Sequence, residues 1–99
     1  MNVGILQLEI EIPGSHSLKE KRGVVKSLKE RLRQRFNVSA SEVDDQDVWN
    51  RARLGVACVA LDARGARDLL DKVVRFAEEH DGAVVSDYSI EVLDGSEHD

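Results

Sequence analysis

Ninety-nine residues, 41% of them apolar, are enough for one hydrophobic core, too few for two domains, and too apolar for a disordered chain. The single cysteine, Cys58, excludes an internal disulfide and fits a reducing compartment. The formal charge is −5, but the stretch Ser17 to Phe36 holds eight basic residues against Glu20 and Glu30, a balance of +6 that leaves −11 on the rest.

The opening MNVGILQLEIEIP lacks a basic leader, and no segment approaches the roughly 18 apolar residues of a membrane span, so the expectation is a soluble cytoplasmic protein with no membrane partner. Residues 3 to 12 alternate, with Leu6, Leu8, Ile10 and Ile12 on one side and Gln7, Glu9 and Glu11 on the other. That is a strand covered on one face. Pro13-Gly14 breaks it, and Ser15 and His16 lead into a helix. Ser17 and Glu20 have capping-box spacing, so the helix starts at Leu18. Leu18, Val25, Leu28, Leu32 and Phe36 share one face, and Lys19, Arg22, Lys26, Lys29 and Arg33 share another about 100° round. Lys21 projects onto the apolar face and is expected to snorkel outward. Asn37 is a candidate left-handed helix end.

Residues 38 to 43, VSASEV, are small and polar enough for an edge strand. Asp44-Asp45-Gln46-Asp47 reads as a connection or the frayed end of that edge strand, followed by Val48 and Trp49. From Arg51 to Leu61 the polar positions vanish after Arg53, the pattern of a strand that is central or covered on both faces. Asp62 caps a second helix with Ala66, Leu69, Leu70, Val73, Phe76 and Ala77 at helical spacing, closed by Asp81-Gly82. Residues 83 to 93 form a last strand, with Val84, Tyr88, Ile90 and Val92 as its main apolar side chains. The order βαββαβ points to a ferredoxin-like α+β domain over residues 1–93, a four-stranded antiparallel sheet with two helices on one face, and a disordered acidic tail over 94–99.

The opening strand, IPGSHSLKEKRGVVKSL and RFNVSASEVDDQDVWNRARLGVA resemble the YlxP-like family of small bacterial proteins, a domain of unknown function. The resemblance covers roughly residues 2 to 93, with SLKEKR and EVDDQDVW as its most specific blocks. It implies a ferredoxin-like fold, a cytoplasmic location and a frequent genomic setting among transcription and translation factors, including a ribosome-binding factor. It implies no catalytic residues.

Each motif has a bland reading beside its functional one. The stripe Lys19, Arg22, Lys26, Lys29 and Arg33 can bind phosphates, or it is a solvated face assisted by pairs such as Lys26 with Glu30. Base stacking on sheet aromatics is not expected, because the chain has only Trp49, Tyr88, Phe36 and Phe76, and both phenylalanines fall on helix core faces. Asp44, Asp45 and Asp47 match no EF-hand loop, and ion pairs with Arg51 and Arg53 explain them without a metal. Trp49 is a core or interface anchor, and Cys58 a small core residue. His16, at the helix mouth, is the one imaginable catalytic histidine, with no nucleophile or orienting acid fixed beside it. The expectation is therefore a noncatalytic, translation-associated protein, without cofactor or metal, whose basic helix contacts RNA or the ribosome. The alternative is a homodimer formed through the uncovered sheet face, with Val3, Ile5, Ala57 and Val59 at the contact. A small-molecule enzyme ranks third.

Overall fold

The computed structural model describes residues 1–44 and 47–95. Its elements are β1 (Asn2–Glu11), α1 (Leu18–Arg35), β2 (Ser39–Asp44), β3 (Arg51–Ala60), α2 (Ala63–Glu78) and β4 (Val84–Asp94). The strands form one antiparallel sheet in the order β2-β3-β1-β4. This is the ferredoxin-like α+β arrangement. Leu6, Leu8 and Ile10 of β1 lie beside Val56, Leu54 and Ala52 of β3, all on the face that the helices cover. Val25, Leu28 and Leu32 of α1 and Leu70, Val73 and Ala77 of α2 complete that core. Gly4 continues the row because a Cβ there would lie 2.8 Å from Leu70 Cδ1.

Local chemistry sets the helix starts. The Glu20 amide donates to Ser17 Oγ at 3.1 Å, and the Glu20 carboxylate reaches past the cap to accept from the His16 amide at 2.6 Å. Asp62 Oδ1 accepts from the Gly65 amide at 2.7 Å. Each arrangement satisfies an amide that has no partner inside its helix. α1 ends earlier than Asn37: Phe36 is extended, and its amide still donates to the Leu32 carbonyl. Gly82, with φ of 86°, makes the turn from α2 into β4.

Three expectations are corrected. β4 has a register shift opposite Glu9 and Ile10, so Val85 pairs with Ile10 and packs on the core, whereas Val84 and Tyr88 are about half exposed. The extra residue inverts, before Asp87, the alternation that the sequence extrapolates from Ile90 and Val92, while Tyr88 keeps that alternation opposite Leu8 with half its surface exposed. Trp49 is 47% exposed, which overturns the core half of its core-or-interface reading. Lys21 does not snorkel: it is 0% exposed, with Nζ 2.9 Å from Glu42 Oε2 on β2. β3 is central, and its second face is left open within the protomer. Cys58 is buried, as expected of a small core residue. β4 includes Asp94, and the Gly95 amide donates to the Met1 carbonyl at 2.8 Å; the rest of the tail lies outside the described residues.

Removing one partner of a buried ion pair strands the other's charge, whereas replacing both with apolar groups removes the desolvation cost as well. Glu42→Gln is therefore expected to lower unfolding free energy by about 3 kcal/mol, and the double change Lys21→Met with Glu42→Leu to recover most of it. Urea titrations of the three proteins measure the difference.

Candidate functional site

The basic stripe forms on α1 as the spacing dictates. Lys19, Arg22 and Lys26 are exposed along it, Lys29 is half-buried, and Arg33 is exposed near its end. Among the described residues, no ion pair engages any of the five, and Lys26 and Glu30 do not pair. Arg33 differs from the others because its guanidinium donates to the Ala40 carbonyl of the edge strand β2. The part of the stripe that is both exposed and without a side-chain contact is thus the first half of the helix.

Beyond the stripe, Arg35 lies over two rings at once, with Cζ 5.9 Å from the Phe36 centroid and 5.5 Å from that of Phe76. The rings meet edge to face, 5.8 Å apart at 87°. Both phenylalanines are half-buried at the margin of the core, where the guanidinium covers what the helices leave open. His80 follows α2, and burial, then the Arg31 charge, lower its pKa, with Asp81 opposing them.

His16 is exposed, and the helix mouth beside it is occupied: Glu20 and Ser17 side chains already accept from amides there, while Ser15 Oγ donates to the Ser17 carbonyl at 3.0 Å. Of the acidic run, Asp44 Oδ2 pairs with Arg53 Nη1 at 3.2 Å, and Arg53 Nη2 pairs with Glu9 Oε1 at 2.6 Å. Asp47 is exposed, and Asp45 lies outside the described residues. Among the described residues, no three His, Cys, Asp or Glu side chains gather as metal ligands.

The open face of the sheet brings Val3, Ile5, Ala57 and Val59 together as two direct cross-strand pairs, Val3 with Val59 and Ile5 with Ala57. Val59 is 64% exposed, and the other three are half-buried. Leu93, which pairs with Val3 from the other side, extends the patch. Toward the opposite end the face becomes charged, with Glu9, Arg53 and Asp87.

A family model described as a protein of unknown function, DUF503, matches residues 3–90. The chain is also 37% identical over 76 residues to the uncharacterized protein YlxP of Bacillus subtilis (strain 168), covering 77% of this chain and 83% of that protein. This chain belongs to the DUF503 family. Its motif blocks SLKEKR and EVDDQDVW meet physically, since Lys21 lies in the first and its ion-pair partner Glu42 opens the second. Sequence reasoning missed that contact. The available signal was a cation on an apolar helix face and an acid in a strand beneath it. Among the described residues of this DUF503 protein, no helix is long and apolar enough to cross a membrane.

A depressed folded-state pKa means that folding favours neutral His80. Its stabilising contribution is present above the unfolded value of about 6.5 and is lost as pH falls through the folded value. In an NMR titration His80 should give a midpoint below 6.5, and Arg31→Gln should move it upward without restoring the full value, because burial is the larger cause.

Proposed function

We propose that this DUF503 protein is a noncatalytic, translation-associated binding protein of the cytoplasm whose α1 stripe contacts RNA or a ribonucleoprotein surface. The observation that carries the reading is the exposure of Lys19, Arg22 and Lys26 on one side of α1 with no acid paired to them, in a chain that is otherwise strongly acidic. Lys29 and Arg33 extend the same line. Such an array gains by releasing counterions from a phosphate backbone, a contact that fixes position without reading sequence. The genomic setting implied by the YlxP-like resemblance favours RNA over other polyanions. Replacing Lys19, Arg22 and Lys26 with Glu should abolish retention on immobilised bacterial ribosomal RNA and leave the circular-dichroism melt nearly unchanged, since none of the three holds a core contact. Equal retention of wild type and variant at low salt would eliminate the reading.

The paired exposure of Val3, Ile5, Ala57 and Val59 favours a second reading, a homodimer through the open face. Strands of ten residues span about 33 Å, and four of them about 19 Å, so the face offers roughly 600 Å² per copy. Two copies reach about 1,200 Å² in total, the lower bound of a standard stable interface. Val59→Lys should convert such a dimer to a folded monomer. A wild-type mass in analytical ultracentrifugation that stays monomeric well into the micromolar range would remove this alternative.

A further inference from the structure

The two edges of the sheet are not equivalent. β2 has six residues, contains a register shift between Glu42 and Asp44, and has its Ala40 carbonyl taken by Arg33. Shortness, a bulge and side-chain cover are ways of closing a strand edge to further pairing. β4 has eleven residues, and its irregularity is confined to the start, opposite Glu9 and Ile10. From Tyr88 onward the pairing with β1 is continuous, without proline or lysine.

The direction of its outer groups follows from the ladder. The Gly95 amide donates inward to the Met1 carbonyl, and antiparallel strands alternate residue by residue, so Leu93, Glu91 and Ser89 also face β1. Tyr88, Ile90 and Val92 therefore point their amides and carbonyls outward. The Tyr88 amide fits this parity because it donates to its neighbour Asp87 Oδ1 at 2.8 Å rather than to β1. Ile90 and Val92 are left as an uncovered pairing edge with side chains packed on the core, so the template is rigid.

Charge selects the occupant. β4 contains acids and no basic residue, and Asp87 and Glu91 lie on the open face two pleats apart, separated by Ser89. A second copy of β4 would bring the same carboxylates toward one another. We propose that the β4 edge is a docking site for an extended basic peptide segment of another protein, which adds as a fifth strand. Backbone hydrogen bonds to Ile90 and Val92 supply affinity, and Lys or Arg at alternate positions pair with Asp87 and Glu91. The site is independent of the α1 stripe.

The test uses the full chain and an eight-residue peptide alternating lysine and valine, with an alternating glutamate and valine peptide as control. Residue-resolved amide hydrogen exchange separates strand addition from nonspecific adsorption. Saturating basic peptide should slow exchange at Ile90 and Val92 about tenfold or more and leave Ser89 and Glu91, already bonded to β1, unchanged. Glu91→Lys, at an exposed position, should weaken the basic peptide about tenfold while its own exchange pattern shows the fold intact. Strand addition is overturned if the basic peptide leaves Ile90 and Val92 unprotected or protects β2 amides instead. The charge assignment is overturned if the acidic control binds equally well or if Glu91→Lys has no effect.

Discussion

β1 is hydrogen-bonded along both of its edges, so its two-residue period decides which side of the sheet every residue paired with it occupies. Leu6, Leu8 and Ile10 commit one face to the helices, and β3 inherits that choice through direct partners. Val3, Ile5, Gln7 and Glu9 commit the other face to whatever lies outside. A slip of one residue would expose the leucines and bury Gln7 and Glu9. The register is therefore fixed by the cost of burying unpartnered polar groups as well as by apolar gain. The open face and the β4 edge follow from the same constraint, since two helices cover only one side of a sheet.

Within that frame Lys21 is costly, a cation at a position that would suit leucine. Part of its compensation comes from β2, where Glu42 lies within ion-pair distance. The contact fixes α1 to an edge strand of only six residues, while Arg33, three turns along, holds the Ala40 carbonyl of the same strand. α1 is thereby tied at two points to the sheet margin most prone to fray. Buried ion pairs are weak sources of net stability, and their best-attested use is to specify one arrangement over its neighbours. Lys21 and Glu42 fit that use: apolar contacts let α1 slide along the sheet, and a single carboxylate does not.

The architecture was legible because its signals are local. The capping box at Ser17, the Asp62 cap, the alternation after Gln7 and the stripe on α1 each need only a few consecutive residues to be read. Where the reading failed, the deciding partner was distant in sequence. Lys21 projects onto the apolar face but is expected to snorkel outward, because nothing near it in sequence announces Glu42. Arg33 belonged to the stripe by spacing, yet β2 claims its guanidinium. Val84 and Val85 exchanged roles because a bulge depends on how β4 meets β1. Val3 and Ile5 were legible from the alternation of β1, whereas β3 is apolar at nearly every position and only its pairing with β1 decides that Ala57 and Val59 share their face.

The net charge of −5 describes neither of the surfaces that carry it. α1 packs over β2, at one margin of the sheet, whereas β4 forms the other. Three strand spacings separate those margins, about 14 Å. That distance exceeds the Debye length of about 8 Å at physiological ionic strength, so the fields of the basic stripe and the acidic strand are largely screened from each other. A polyanion approaching α1 meets local positive charge despite the acidic total, and a basic segment approaching β4 meets carboxylates despite the helix behind the sheet. The sheet therefore acts as a spacer as well as a scaffold, holding opposite charges far enough apart that neither cancels the other and each edge can be recognised on its own terms.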